Sequence, residues 1–229
     1  YWYFDLTTGK GKQLGKDLET SSLMFAKFSS DNENVAYVSK HNIYLENLNS
    51  GKITPLTTDG TDKIINGTFD WVYEEELAAR DGFRWSPDGK SIAFWRIDAT
   101  ATKFHLMINN TDALYPFTVP VEYPKAGEKP SSVKIGIIDI KSLKTNWLNV
   151  PGDPDNNYLV RIKWIDNQSL MVIQLNRNQN KVSMYNCNTN SGVATLIYKE
   201  ESTAWIDVFD ISAWNYDAFP CQFVDNKKS

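Results

Sequence analysis

The chain has 229 residues, a net charge of -4 and 13% aromatic residues, so it is long and apolar enough to bury a substantial core. This composition argues against a disordered chain, and the absence of a basic excess argues against a nucleic-acid partner. No apolar run approaches the roughly 18 residues that a membrane-spanning helix needs.

The first ten residues, "YWYFDLTTGK", predict a short strand followed by a turn. They lack the basic start and the apolar segment of a signal peptide, which indicates a chain cut from the interior of something longer. Three related motifs follow, "IYLENLNSGK", "GIIDIKSLK" and "MYNCNTNSGV". All four carry an acid or an amide at the same place, namely Asp5, Asn47, Asp139 and Asn188.

A glycine follows four residues after the acid or amide in three of these motifs: Gly9, Gly51 and Gly192. Such a glycine supplies the positive φ that a hairpin turn needs. The fourth motif has Leu143 at this place, so we expect its turn to differ.

A second repeat relates residues 28–37, "FSSDNENVAY", to residues 85–94, "WSPDGKSIAF". A looser copy, one residue shorter, begins at residue 164 with "WIDNQSLMVI". Each copy predicts a strand, a tight turn and a second strand. Two hairpins per unit make a four-stranded antiparallel sheet, and repetition of that sheet predicts an all-β protein of the β-propeller type. The alternative is a β-sandwich whose turns match by coincidence.

Three adjacent glutamates, Glu74, Glu75 and Glu76, follow the apolar string "FDWVY". Neighbouring carboxylates repel by a few kcal/mol at an effective dielectric constant of about 20, and a cationic ligand would relieve that cost. On a helical turn, successive side chains diverge by about 100°. At most two of the three can therefore face one direction, and the third is expected to turn towards Arg80 or Arg84.

The apolar string before the glutamates predicts a buried anchor that holds them in place, with Asp70 as its one polar residue. A rigid pair of carboxylates is a good receptor for a primary ammonium group, which has three hydrogen-bond donors. The alternative is an exposed acidic helix start that favours the helix dipole. The residues by themselves favour this second interpretation.

The spacing between the second and third copies of the strand–turn–strand repeat is longer than expected, and the excess lies near residues 99–132. This segment contains four prolines and so cannot be a central strand throughout. It predicts an extended arm that projects from its sheet. Its many apolar residues indicate that something covers it, and both a partner subunit and the rest of the chain are candidates.

Catalytic and cofactor motifs are absent from the sequence. There is no Gly-x-Ser-x-Gly elbow, no phosphate-binding or dinucleotide-binding loop and no zinc motif, and only two histidines occur. The chain alone is therefore not expected to carry catalytic machinery, a metal ion or a cofactor.

Three strings together, "DWVYEEE", "WSPDGKSIAF" and "VEYPKAGEKP", resemble the N-terminal β-propeller of the dipeptidyl peptidase IV family, within the prolyl oligopeptidase superfamily. The resemblance covers residues 1 to about 209. It implies an eight-bladed propeller that caps an α/β-hydrolase domain bearing the catalytic Ser, Asp and His. This chain would form about three to four blades of such a propeller, without the hydrolase domain.

The resemblance also implies a function for the glutamates. Glu75 and Glu76 would bind the free N-terminus of a peptide, with Trp71, Tyr73 and Glu74 in support. The parent protein would be a serine exopeptidase that releases N-terminal dipeptides, usually with Pro or Ala in the second position. The alternative is a non-enzymatic propeller that serves as a scaffold for protein contacts.

Three further expectations follow from the same resemblance. The arm would contribute to a homodimer through residues 114–125, which begin at Leu114 and end at Lys125. The parent would be periplasmic, extracellular or at the cell surface. A substrate-contacting arginine of the family would fall upstream of Tyr1.

The repeats divide the chain into a series of blades. The predicted parts are a blade edge, a first blade, a second blade with the glutamate helix and arm, a third blade, and the start of another: residues 1–20, 21–66, 67–150, 155–202 and 203–229. The tail after Phe209 does not continue the blade pattern.

Overall fold

The computed structural model describes residues 1–19 and 21–206. The start of another blade was predicted at residues 203–229, and all of it beyond residue 206 lies outside the described residues. The atypical tail after Phe209 lies outside them as well.

The chain forms antiparallel sheets that follow one another in sequence order. The first is a hairpin of two strands, β1 (Trp2–Asp5) and β2 (Lys10–Gln13). The next sheet, the first blade, has four strands: β3 (Leu23–Phe28), β4 (Asn34–Ser39), β5 (Asn42–Asn47) and β6 (Ile53–Pro55).

The second blade contains five strands and carries the only helix of the described residues. Its elements are β7 (Ile64–Asn66), α1 (Trp71–Leu77), β8 (Phe83–Trp85), β9 (Ser91–Asp98), β12 (Ser132–Asp139) and β13 (Thr145–Trp147). A separate hairpin, β10 (Phe104–Asn109) and β11 (Phe117–Glu122), projects between β9 and β12.

The third blade again has four strands in sequence order: β14 (Asn157–Trp164), β15 (Ser169–Asn176), β16 (Lys181–Asn188) and β17 (Ala194–Glu201). Successive four-stranded antiparallel sheets confirm the all-β propeller fold. The described sheets do not close into a ring, so they form part of a propeller.

The first strand of the second blade is split in two by the segment that carries α1. Both β7 and β8 pair with β9, at Asn66↔Arg96 and at Phe83↔Phe94. The predicted boundary at residues 66 and 67 needs correction, because β7 belongs to the second blade, which therefore begins at Ile64.

The segment between β7 and β8, called the excursion below, runs from Gly67 to Gly82. These two glycines close its base by hydrogen bonding to Trp95 of β9. The Gly67 N–H donates to the Trp95 carbonyl (3.0 Å), and the Trp95 N–H donates to the Gly82 carbonyl (3.0 Å). A Cβ on Gly82 would lie 2.6 Å from the Gly67 carbonyl carbon. Only glycine fits this close approach, so the ends of the excursion are fixed relative to each other.

The strand–turn–strand repeat forms the same turn in the first and second blades. The Ser29 hydroxyl donates to Asp31 (2.5 Å), and the Ser86 hydroxyl donates to Asp88 (2.8 Å). The hydrogen bond from Ser29 lowers the pKa of Asp31. Burial acts to raise the pKa of Asp88, but the hydrogen bonds from Ser86 and from the Lys90 N–H outweigh it, so that this pKa is lowered too.

The tryptophans of this repeat link neighbouring blades. The Trp85 indole donates to the Lys27 carbonyl (3.1 Å), and the Trp164 indole donates to the Arg84 carbonyl (3.2 Å). Each acceptor immediately precedes the repeat aromatic of the previous blade, which is Phe28 or Trp85. The sequence repeat therefore encodes a repeated contact between blades.

The main apolar core lies between the second and third blades, and a second cluster lies between the first and second. The most deeply buried large side chains of the second blade include Phe83, Phe94 and Trp95. Because β9 contributes to both clusters, α1 rises from the blade that shares its core with both neighbours.

The turn at Leu143 does not differ from its three counterparts, so this prediction was wrong. The Leu143 N–H donates to the Asp139 carbonyl (2.9 Å), as the Gly51 N–H does to Asn47 (2.7 Å). Leu143 has φ 58°, close to the 69° of Gly51. A leucine therefore occupies a left-handed position that glycine adopts at lower energy.

The arm is the hairpin β10–β11, whose strands pair only with each other within the described chain. Pro120 lies opposite Leu106, where an edge strand tolerates the missing N–H. Many of its apolar side chains are exposed, including Leu106, Met107, Ile108, Leu114, Tyr115 and Phe117. The rest of the described chain therefore does not cover these side chains.

We predict that Leu143→Gly raises the free energy of unfolding by about 0.5–1 kcal/mol, because relief of the left-handed strain outweighs the greater entropy loss of glycine. Urea unfolding measures the change. Leu143→Ala is the control, since it keeps the strained Cβ and is not expected to stabilise. A Leu143→Gly protein no more stable than the alanine variant would contradict the prediction.

Candidate functional site

Asp70 holds the N-terminal end of α1. Its Oδ1 accepts from the Tyr73 N–H (3.1 Å), as expected of an N-cap residue, and its Oδ2 accepts from the Ser131 hydroxyl (2.6 Å). Burial raises the pKa of Asp70, while the hydrogen bond from Ser131 opposes that rise. Since Ser131 follows the arm, the helix start is tied to the arm's return to the sheet.

The apolar anchor predicted from "FDWVY" is buried in the structure. Val72 and Tyr73 lie inside, and the ring of Phe69 contacts those of Tyr73 (centroids 5.2 Å apart) and Trp95 (5.1 Å). The Tyr73 hydroxyl accepts from the Leu159 N–H of the third blade (3.0 Å). The anchor thus bridges two blades.

Trp71 differs from the rest of this anchor because it is only half-buried. Its ring lies 4.4 Å from that of Tyr123 at the base of the arm. The first turn of α1 therefore rests on the arm as well as on the core.

All three glutamates are exposed, and the structure gives Glu74 a distinct environment. Partial burial raises the pKa of Glu74, the charges of Glu75 and Asp70 add to this, and the charge of Arg80 opposes it. The sequence predicted that one glutamate would turn towards Arg80 or Arg84, and Arg80 is the residue whose charge acts on Glu74. Arg84 forms an ion pair with Asp81 (3.3 Å).

Glu76 acts through its charge on a tyrosine of the third blade. Burial raises the pKa of Tyr158, and the negative charges of Asp70 and Glu76 raise it further, whereas Arg177 opposes the shift. Because residues two apart on a helix diverge by about 200°, Glu74 and Glu76 occupy opposite sides. Glu75 lies between them.

The C-terminal end of α1 is closed by residues that the sequence did not single out. Ala78 adopts a left-handed conformation (φ 48°), and the Ala79 N–H donates to the Tyr73 carbonyl (2.9 Å). The guanidinium of Arg161, from the third blade, donates to the Leu77 carbonyl (3.0 Å).

A lysine of the first blade holds the segment that returns from α1 to the sheet. Lys27 forms an ion pair with Asp81, donates to the Phe83 carbonyl (2.6 Å) and lies over the Phe83 ring (3.7 Å to the centroid). Burial lowers the pKa of Lys27 to about 8, aided by the charge of Arg84 and opposed by Asp81.

Sequence reasoning missed Lys27, Ser131 and Arg161, each of which lies far along the chain from the glutamates. None belongs to a motif around α1, and each acts on the helix segment through a contact between distant parts of the chain. Only the tertiary structure brings them to the site.

Within residues 1–19 and 21–206, no group of three or more His, Cys, Asp or Glu side chains is arranged to hold a metal ion. The helix there is too short to cross a membrane.

The family model described as "Dipeptidyl peptidase IV (DPP IV) N-terminal region" matches residues 1–220. The chain therefore belongs to this family, as the resemblance of its motifs implied.

Curated relatives include both inactive proteins and aminopeptidases. The chain is 30% identical over 212 residues to "Inactive dipeptidyl peptidase 10" of Rattus norvegicus, covering 90% of this chain and 27% of that one. It is 28% identical over 221 residues to "Dipeptidyl-aminopeptidase B" of Aspergillus niger, covering 90% and 24%. The chain thus spans about a quarter of the length of these relatives.

Solved structures agree with the propeller fold. The crystal structure of Porphyromonas gingivalis dipeptidyl peptidase 4 is similar to this chain with a TM-score of 0.86 and 33% sequence identity. The match covers 93% of this chain and 30% of the P. gingivalis chain. A putative dipeptidyl aminopeptidase IV from Bacteroides ovatus is similar to this chain with a TM-score of 0.73, and the match covers 90% of this chain and 27% of the B. ovatus chain. The sequence identity is 24%, so this structure supports the fold alone.

We predict that Lys27 makes stability rise with pH above 8. Its pKa is lower in the folded chain than in the unfolded one, so the unfolded state binds more protons between about pH 8 and 10.5. From pH 7 to pH 9, the wild-type protein should gain about 1 kcal/mol relative to Lys27→Met. Urea unfolding at the two pH values measures this.

Lys40→Met is the matched control, because Lys40 is exposed and its pKa is raised by Glu19. From pH 7 to pH 9, the wild-type protein should therefore gain no stability relative to Lys40→Met. Parallel stability profiles for the wild-type protein and Lys27→Met would count against the assignment.

Proposed function

We propose that this chain is the substrate-recognition part of a serine exopeptidase that releases N-terminal dipeptides, with Glu75 and Glu76 binding the free ammonium group of the peptide. The observation that carries this proposal is the mounting of α1: a seven-residue helix anchored in the core presents three exposed carboxylates on its surface. Membership of the dipeptidyl peptidase IV N-terminal family supports the substrate class.

A primary ammonium group matches such a pair of carboxylates because it offers three donors and a full positive charge. Since both ends of α1 are fixed, the bound N-terminus is held at one place. A substrate anchored there can advance only two residues to a nucleophile, so charge recognition also sets the position of cleavage. Correct positioning contributes to rate as well as affinity.

The environments of the three glutamates support the choice of pair. The charge of Arg80 acts on Glu74 and partly compensates it. Glu75 and Glu76 are then the carboxylates assigned to the ligand, and Glu74 has a supporting role with Trp71 and Tyr73.

The catalytic residues belong, in this proposal, to an α/β-hydrolase domain of the parent protein. The chain spans about a quarter of the relatives that it matches, and it contains no Gly-x-Ser-x-Gly elbow. We further propose a periplasmic, extracellular or cell-surface location for the parent.

A non-enzymatic scaffold is the second candidate, because one 30% identical relative is named an inactive dipeptidyl peptidase. The presence of all three glutamates favours the peptidase. The parent sequence discriminates between the two: a Gly-x-Ser-x-Gly elbow followed by Asp and His supports the peptidase, and its absence supports the scaffold.

We predict that Glu75→Gln and Glu76→Gln, each made in the full-length protein, lower kcat/KM for Ala-Pro-p-nitroanilide by roughly 30- to 1,000-fold. This corresponds to about 2–4 kcal/mol for the loss of one partner of a charge pair. The thermal midpoint should change little, because the side chains are exposed.

Glu74→Gln is the matched control, one residue away and also exposed. It should retain most of the activity. If all three variants lost activity equally, the assignment of the pair would fail; unchanged activity in the first two would reject the ammonium site.

We also propose that the arm forms a homodimer contact through residues 114–125. Leu114 is 92% exposed and Tyr115 80%, and nothing in the described chain covers them. Exposed apolar groups that lie together on a projecting hairpin favour a protein partner.

In the full-length protein, Leu114→Asp combined with Tyr115→Asp should convert dimers to monomers in sedimentation velocity, because two charges would be buried in the contact. The control is Leu196→Asp, on the exposed strand β17 of the third blade. A double variant that still sediments as a dimer would refute the proposed interface.

A further inference from the structure

Strand β14 of the third blade contains an irregularity opposite α1. Leu159 pairs with Gln174 and Arg161 with Ile173, so Val160 is an extra residue in the register. A β-bulge of this kind bends the strand and changes the direction of the side chains beside it.

The bulge supplies three hydrogen bonds between the third blade and the second. The Leu159 N–H donates to the Tyr73 hydroxyl (3.0 Å), and the Leu159 carbonyl accepts from the Trp95 indole (2.6 Å). The Arg161 guanidinium donates through Nη2 to the Leu77 carbonyl (3.0 Å). These bonds therefore reach Tyr73 and Leu77 of α1 and Trp95 of strand β9.

Arg161 is suited to this place because of its geometry. Its side chain is buried, and its Nη1 donates to the Val160 carbonyl (2.7 Å) while Nη2 reaches Leu77. The planar guanidinium thus joins the bulge to the helix with two fixed donors, which a lysine ammonium on a flexible stem does not reproduce.

The Leu77 carbonyl lies at the end of α1 that carries the proposed ligand pair, since Glu75 and Glu76 immediately precede Leu77. A seven-residue helix is marginal without tertiary contacts, and its last carbonyls have no partner within the helix. Asp70 fixes the opposite end, so loss of the Arg161 hydrogen bond to Leu77 would loosen the turn that bears the carboxylates.

We propose that Arg161 is a positioning residue, which acts through the Leu77 carbonyl to hold Glu75 and Glu76 in the geometry that receives the substrate ammonium. This inference rests on the proposed function of the glutamate pair. It assigns a specificity role to a residue of a different blade, far from the glutamate motif in the sequence.

The test compares two substrates of the full-length protein, Ala-Pro-p-nitroanilide and propionyl-Pro-p-nitroanilide, which differ only in the N-terminal ammonium. The ratio of their kcat/KM values measures how well the enzyme uses that charge. In Arg161→Lys we expect this ratio to fall roughly 10- to 100-fold, with hydrolysis of the propionyl substrate unchanged.

Arg161→Met removes both donors and should lower the ratio at least as far; if it fails to fold, Arg161→Lys decides the question. The control is Arg96→Lys, in which another largely buried arginine, paired with Asp59 (2.9 Å), is changed away from α1. Its ratio should stay at the wild-type value.

An unchanged ratio in Arg161→Lys, or equal losses on both substrates, would overturn the positioning role. Glu75→Gln, measured in parallel, separates the two proposals. If the ratio is lowered in Glu75→Gln but normal in Arg161→Lys, the positioning role of Arg161 is rejected and the ammonium site of the glutamates is retained. Normal ratios in both Glu75→Gln and Glu76→Gln, or no hydrolysis by the full-length protein, reject both proposals.

Discussion

The candidate site depends on the closure of the split strand around Trp95. The chain leaves the second blade at Gly67 and rejoins it at Gly82, and both residues hydrogen bond to the backbone of Trp95. The intervening segment can therefore form a helix without disturbing the sheet on either side. A side chain at Gly82 would push the two ends apart, so this approach fixes where the carboxylates can lie.

From that base, neighbouring blades hold the excursion at several points. Lys27 of the first blade binds the returning segment, Asp70 is held by Ser131 of the second, and Arg161 of the third reaches the last turn. Propeller blades are individually simple sheets, so a site made by contacts among three of them gains precision from their packing. The same contacts leave the three glutamates free on the surface.

Much of the fold could be predicted from the sequence because its determinants are local. The Ser–Asp turns and the period-two strands recur along the chain, and each recurrence forms a similar hairpin. The prediction failed where a backbone preference was treated as a rule: Leu143 adopts the conformation of the glycines in the other copies. The turn's hydrogen bonds offset a strain of about 1–2 kcal/mol.

The sequence by itself determined the sheet type, the repeat, the arm and the string of glutamates on a buried anchor, since these depend on residues close together in the chain. Tertiary structure decided that β7 belongs to the second blade and that Arg80 acts on Glu74. It also decided that the bulge at Val160 directs Arg161 to the helix. The β7–β9 pairing and the Arg161–Leu77 hydrogen bond join residues distant in sequence, and neither residue of such a pair carries a local signal of its partner. Arg80 lies near Glu74 in the sequence, which offered both Arg80 and Arg84 as its partner.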